Sequence, residues 1–150
     1  MASGADAKSS APELATAQAR RFVAVRRRRA AETLEDYTEL IADLIARSGE
    51  ARTTDIAERL GVAHPTAVKA IGRLEREGLA IVKPYRGVSL TAAGRTMAER
   101  VRRRHRLVVD FLVAVGAPRE AAEADAEGIE HYVSSATLAA FEAFLAAQQK

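Results

Sequence analysis

The sequence has no cysteine. That excludes disulfides, thiolate metal sites and a cysteine nucleophile, and it fits a reducing compartment. Long apolar runs are also missing. A membrane span needs roughly 18–20 apolar residues, and even the apolar stretch 107–115 is broken by Asp110. The first residues lack the apolar segment of a secretory signal, so a cytoplasmic location is expected. No internal repeat is visible. What is present is a chain of 150 residues that is 48% hydrophobic. This is enough for a packed core, suits one domain or two small ones that share a core, and excludes disorder for most of the chain.

The net charge of +3 is unevenly spread. Residues 1–34 carry seven basic residues (Lys8, Arg20, Arg21 and the arginines at 26–29) against three acidic ones, a net +4. Residues 35–97 balance to zero and residues 98–150 come to −1. A basic arm before a neutral body is an electrostatic footprint of nucleic-acid binding, although a solubilising tail carries the same charge.

Residues 1–16 are rich in Ala, Ser and Gly and are expected to be mobile. Residues 17–32 are helix formers whose arginine run makes helicity depend on an anionic partner. Thr33 with Asp36 resembles a capping box, which starts a helix there. Leu34, Tyr37, Leu40, Ile41, Leu44 and Ile45 give it an apolar stripe, and Ser48-Gly49 stops it. A short helix follows over 53–60, with Ile56, Ala57 and Leu60 on one face. Gly61 turns the chain and Pro65 starts the next helix, where a missing N–H costs nothing. Val68, Ile71 and Leu74 are expected to point inward; His64 either touches DNA or caps the start, and the cap is the favoured reading. Residues 79–82 and 88–90 read as a hairpin around the turn at 84–87. Thr91 caps a long helix to about Val115. Gly116 and Pro118 open a short helix through about Tyr132, and Ser134 or Ser135 caps a last helix with Leu138, Phe141, Phe144 and Leu145 as its stripe.

Helix, glycine turn, helix and hairpin, in that order, make a winged helix-turn-helix. In such a motif the second helix offers side chains at its N-terminus to the major groove, and the hairpin lies along the phosphates. The candidate DNA contacts are Pro65, Thr66, Lys69 and Arg73 on the second helix and Lys83 and Arg86 at the hairpin tip.

The other outstanding polar residues are carboxylates and imidazoles at helical spacing. Asp36 and Glu39 share a face, as do Glu127, Glu130 and His131. His105 interrupts the otherwise apolar stripe of Met97, Val101, Val108 and Leu112. Three helices thus offer four carboxylates and two imidazoles to one place. Asp36 and Glu39 also suit a helix N-terminus, and His105 also suits a hydrogen-bonded core. Glu127 and Glu130 are harder to explain that way, because acidic residues near a helix C-terminus oppose its dipole. Oxygen and imidazole donors without sulfur suit manganese, ferrous iron, cobalt or zinc, and the carboxylate excess leans towards manganese. The charge is more than one divalent ion needs, which suggests two ions per subunit.

Taken together, the run Glu35-Asp36-Tyr37-Thr38-Glu39, the helix-turn-helix, Tyr85-Arg86-Gly87 through Thr91, Arg104-His105-Arg106, and Asp125 through His131 are specific. Over residues 33–145 the sequence resembles the manganese-transport-regulator branch of the diphtheria-toxin-repressor family. The resemblance implies a homodimer of winged-helix domains joined through C-terminal helices, with two metal ions between the domains. Its ligand positions match Asp36, Glu39, His105, Glu127, Glu130 and His131. Iron-sensing relatives use a Met and a Cys where this chain has Asp36 and Glu130. Their third, SH3-like domain is not expected here, and a second His that often follows the His131 position is Tyr132.

The expected fold is therefore mainly α. Residues 1–32 form a basic, partly disordered arm, 33–94 a winged helix-turn-helix with a small β-hairpin wing, and 95–150 a helical metal-binding and dimerisation domain. The expected function is manganese-responsive repression of manganese uptake genes, through a palindromic double-stranded operator. An iron-responsive regulator of the same architecture is the near alternative. A metal-independent winged-helix regulator and a di-metal carboxylate enzyme are the more distant ones. The enzyme reading calls for the Glu-x-x-His motif on two helices, and only one such pair can be argued here.

Overall fold

The computed structural model describes residues 11–149; the mobility expected of residues 1–10 lies outside them. Helix α1 runs unbroken over Ala11–Ser48, 38 residues. This corrects two expectations: residues 11–16 are helical, and Thr33 caps nothing. Residues 17–32 are helical, as their helix formers allow. The physical reason is continuity of good helix formers. From Glu13 to Ser48 there is no Gly or Pro, so nothing interrupts propagation once the helix exists. The chain itself supplies partners for the arm. The Arg28 guanidinium donates to the Tyr132 carbonyl, and the Tyr132 hydroxyl donates to Glu32 at 2.8 Å. Asp36 and Glu39 consequently lie deep inside a helix, where the terminal dipole does not explain them.

Helices α2 (Thr53–Leu60) and α3 (His64–Arg76) follow, joined through Gly61 at φ 65°. That left-handed turn lets the Gly61 N–H close on the carbonyls of Ala57 and Glu58. Ile56 and Ala57 of α2 face Ala67, Ile71 and Leu74 of α3 in one core. Val68 is on the outer face, 51% exposed, contrary to the expected inward stripe. The buried residues of α3 follow the spacing i, i+4, i+7 from Ala67, which puts Val68 one step off the stripe. Ala63 is the N-cap and has no side-chain bond, so His64 does not cap α3.

Strands β1 (Ala80–Lys83) and β2 (Gly87–Leu90) pair antiparallel from Ala80↔Leu90 to Lys83↔Gly87. Ala51, just after α1, adds a bridge to Val88, whose N–H donates to the Ala51 carbonyl at 2.8 Å. The wing is thereby anchored to the helical body.

Helix α4 (Ala92–Ala114) starts at Thr91, whose hydroxyl accepts from the Gly94 N–H at 3.1 Å. Arg102 pairs with Asp43 and Arg104 with Glu35, fastening α4 to α1. Helix α5 (Arg119–Ile129) is shorter than expected. Its last backbone bond runs from the Glu130 N–H to Ala126, after which Tyr132 closes a tighter turn on Ile129. His131 therefore belongs to the turn and not to the helical face. Helix α6 (Ser135–Gln148) is capped by Ser134.

The larger apolar core joins α1, α2, α3, the hairpin and Ala98 of α4. A smaller one joins Val108 and Val109 to Ala122 and Ala126. Phe111 stacks on Phe141 at 3.8 Å between ring centres and meets Phe144 edge-on at 5.4 Å. No residue of α6 is fully buried, so its apolar side chains stay half-covered within one subunit. Among the described residues no helix is long and apolar enough to cross a membrane.

Candidate metal centre

The centre is built where α1 passes α4 and the turn after α5. His131 has a side chain only 1% exposed. Its Nδ1 lies 2.8 Å from Glu35 Oε2. Glu35 is in turn gripped by the Arg104 guanidinium. A carboxylate on Nδ1 fixes that nitrogen as the one bearing hydrogen and frees Nε2 as a ligand atom. Nε2 faces Asp36 Oδ1 at 3.0 Å and Glu130 Oε1 at 3.5 Å.

His105 has the parallel arrangement. Its Nε2 is 3.1 Å from Glu123 Oε2, and its Nδ1 is 2.6 Å from Glu130 Oε2 and 3.8 Å from Glu127 Oε1. Glu130 is fully buried, and its Oε1 has no hydrogen-bond donor. A buried carboxylate oxygen without a donor is costly unless a cation faces it. That oxygen, together with carboxylate and imidazole donors and no sulfur, fits a hard or borderline divalent ion.

Two groups converge closely enough to hold an ion, with ligand atoms inside 4.8 Å of one another: His105, Glu127 and Glu130, and Glu32, Asp36 and His131. Five of the six expected ligands are thus brought together. The sixth, Glu39, belongs to neither group. It lines an adjoining cleft of about 380 Å³ with Asp36, Asp43 and Glu127. Sequence reasoning missed Glu32, Glu35 and Glu123. Glu35 was part of the motif, but nothing in its spacing reveals a contact 96 residues away. Glu32 was read as preceding the helix, and Glu123 gave no signal.

The electrostatics match a site waiting for positive charge. Burial pushes Glu130 up to about 7, against the pull of His105. Burial raises Glu39 too, with help from Asp43 and Glu127. For His131, burial disfavours the imidazolium, but the hydrogen bonds to Asp36 and Glu35 outweigh it and carry the group to about 10. His105 is likewise raised, its hydrogen bonds to Glu123 and Glu130 outweighing burial. Glu35 is lowered, since His131 and Arg104 overcome its desolvation. At pH 7 the metal-free site therefore holds a proton on His131 and a partial one on Glu130, and His105 is shifted towards its protonated form. A metal ion bound by these groups would expel those protons, so metal affinity is expected to rise with pH through neutrality. Titration calorimetry at pH 7 in two buffers of different ionisation enthalpy should show at least about one proton released per subunit. Zero release would mean that His131 is not a ligand.

The expected DNA-facing residues lie on α3 and at the hairpin tip. Pro65, Thr66 and Lys69 are exposed on α3, and Arg73 is partly so. Lys83 and Arg86 are exposed at the hairpin tip beside a fully exposed Tyr85. Val68 is exposed beside them on α3.

Residues 30–88 match the family described as iron dependent repressor, N-terminal DNA binding domain. Residues 91–150 match iron dependent repressor, metal binding and dimerisation domain. The chain belongs to the iron-dependent repressor family. It is 49% identical over 123 residues to the transcriptional regulator MntR of Escherichia coli, covering 82% of this chain and 79% of that protein. It is 42% identical over 103 residues to the HTH-type transcriptional regulator MntR of Bacillus subtilis, covering 68% of this chain and 72% of that one. Among solved structures it is similar to a manganese-dependent transcriptional repressor in complex with manganese, at 35% identity and a TM-score of 0.65. That alignment covers 74% of this chain and 51% of the other, so this chain spans about half of its length. Members of this family are transcription regulators and not enzymes, which removes the di-metal enzyme reading.

Proposed function

We propose that this chain is a manganese-responsive repressor of manganese uptake genes, working in the cytoplasm as a homodimer on a palindromic operator. The observation that carries this reading is the sulfur-free carboxylate and imidazole cluster shared between α1 and the α4–α5 layer. The names of the similar regulators support manganese over iron. The proposed ligands are Asp36, Glu39, His105, Glu127, Glu130 and His131, enough for two ions per subunit. Glu39 would reach the site by a side-chain movement across the cleft it already lines. The proposed domains are the arm 1–32, the reading head 33–94 and the metal and dimer domain 95–150. The half-covered stripe of Leu138, Phe141, Phe144 and Leu145, beside Phe111, is proposed as the dimer seam.

Pro65, Thr66, Lys69 and Arg73 would meet the major groove, and Lys83 and Arg86 the phosphates. The arginines of the α1 extension would add a sequence-independent, salt-sensitive share of affinity. The coupling follows from connectivity. Helix α1 is packed into the core of the reading head, yet its Asp36 faces His131 of the other layer. When ligands from both layers share an ion, the head is fixed relative to the dimer seam and the two copies of α3 acquire one spacing. By linkage, operator must then raise metal affinity by the same factor.

The test is operator binding by fluorescence anisotropy with Mn²⁺, Fe²⁺, Zn²⁺ or chelator. The parent should bind more tightly with Mn²⁺ than with chelator; equal binding would overturn the reading. Asp36→Ala removes one proposed α1 ligand and leaves Glu39 and those of α4, α5 and the turn. It should retain at least one Mn²⁺ per subunit yet lose most of the Mn²⁺-dependent gain in operator affinity. A full gain in that variant would show that Asp36 is not the residue that couples α1 to the metal.

A further inference from the structure

We infer that Glu32 is a further metal-ligating carboxylate, joining Asp36 and His131, and that Tyr132 holds it in position. The inference rests on the metal-site reading above. Glu32 and Asp36 stand four residues apart on α1, on one face and one turn from each other. They share that face only because α1 runs through position 33; a helix beginning there would leave Glu32 outside its register. Glu32, Asp36 and His131 each bring a ligand atom inside a common 4.8 Å.

The Tyr132 hydroxyl occupies one oxygen of Glu32, donating to Oε2 at 2.8 Å. A carboxylate accepts at both oxygens, so Oε1 stays open for a cation. Tyr132 is itself held through both of its backbone polar groups. Its carbonyl accepts from Arg28, and its N–H bonds to Ile129 at 3.0 Å. A hydrogen bond that orients one oxygen while leaving the other free is how carboxylate ligands are fixed for coordination.

A second observation points to the same space. Glu130 Oε1, fully buried and without a donor, lies 3.5 Å from His131 Nε2, the nitrogen that also faces Asp36. Glu130 itself converges with His105 and Glu127, so this free oxygen marks the border between that group and the one that holds Glu32, Asp36 and His131. The structural alternative is that Glu32 only ties the α1 extension to the turn after α5.

Two substitutions separate these roles. Glu32→Gln keeps an oxygen that accepts from Tyr132 but removes the charge. Tyr132→Phe removes the tie and keeps the charge. Mn²⁺ binding to full-length protein would be measured by calorimetry and by the electron paramagnetic resonance signal of free Mn²⁺. Glu32→Gln is expected to weaken one class of Mn²⁺ site by about 10–100-fold, with metal-free thermal unfolding like the parent's, and Tyr132→Phe to weaken the same class less. Parent-like stoichiometry and affinity in Glu32→Gln would overturn the inference, whatever Tyr132→Phe does. The parent and His131→Ala serve as controls. Failure of the parent to bind Mn²⁺ would overturn the metal reading itself, whereas normal binding in the parent and in Glu32→Gln would overturn only the role of Glu32.

Discussion

His131→Ala is expected to bind Mn²⁺ more than about 100-fold more weakly than the parent and to show no Mn²⁺-dependent gain in operator affinity. Loss of a mere hydrogen-bond partner of a ligand costs about 10–100-fold, and loss of the ligand atom itself should exceed that. The geometry adds a further reason. The ring joins Glu35 on one nitrogen to Asp36 and Glu130 on the other. Removing it takes away a donor atom and the only imidazole linking α1 to the turn after α5 among the described residues. Glu130 Oε1 then loses its nearest positive neighbour as well as the ion, and a buried charge stripped of its partner is strongly unfavourable. Part of that cost falls on the metal-free fold, so circular dichroism of the metal-free variant must accompany the calorimetry. A folded His131→Ala protein with parent-like Mn²⁺ affinity would remove the site assignment. A folded variant that binds Mn²⁺ weakly but still tightens on operator would place the coupling elsewhere.

The reading head was legible in the sequence because its signals are local. Gly61 must adopt a left-handed turn, Pro65 tolerates only the start of a helix, and the hairpin is bounded by turn residues. The proposed ligands were legible because helical spacing groups them before any tertiary contact is known. What was not legible depends on distant partners or on context. The Thr33 pattern looks the same whether the residues before it are helical or not. Its irrelevance follows from uninterrupted helix formers upstream and from the ties to Tyr132. The end of α5 at Ile129 was misplaced because Glu127, Glu130 and His131 fit a helical face so well. In the structure Glu130 still has helical angles, while His131 is carried by the turn beyond it. Val68 shows how narrow such readings are, since a shift of one residue in the stripe exchanges core for surface. Glu35 and Glu123 gave no sign of their role, because a carboxylate that orients an imidazole is known only by the imidazole it touches.

Gly94→Ala and Gly72→Ala are the same chemical change, and they are expected to act in opposite directions. Gly72 lies within α3, and a methyl there would meet nothing nearer than the Arg76 guanidinium at 3.6 Å. Replacing a helical Gly by Ala should then raise stability by about 0.5–1 kcal/mol. Gly94 lies in the first turn of α4, where a Cβ would fall 2.0 Å from the Leu79 carbonyl oxygen and 3.2 Å from Leu90 Cδ2. That carbonyl cannot easily retreat. It accepts from the Thr91 N–H at 3.0 Å, while the Thr91 hydroxyl holds the neighbouring Gly78 carbonyl at 2.6 Å. The added methyl must therefore push α4 away from the end of α3 or break this joint, a cost of about 3 kcal/mol or more by the scale of overpacked cores. At fixed protein concentration, thermal unfolding should fall by roughly 6–12 °C for Gly94→Ala and rise by a few degrees for Gly72→Ala. A rise for both would mean that α4 is not seated on Leu79. The joint also bears on regulation, because α4 carries His105 about three turns beyond Gly94. On the proposed coupling, a Gly94→Ala protein that still folds should hold Mn²⁺, with its proposed ligands unchanged, while its two copies of α3 lose the placement that metal binding is proposed to fix. Its Mn²⁺ isotherm is expected to stay near the parent's, and its operator response to Mn²⁺ to shrink.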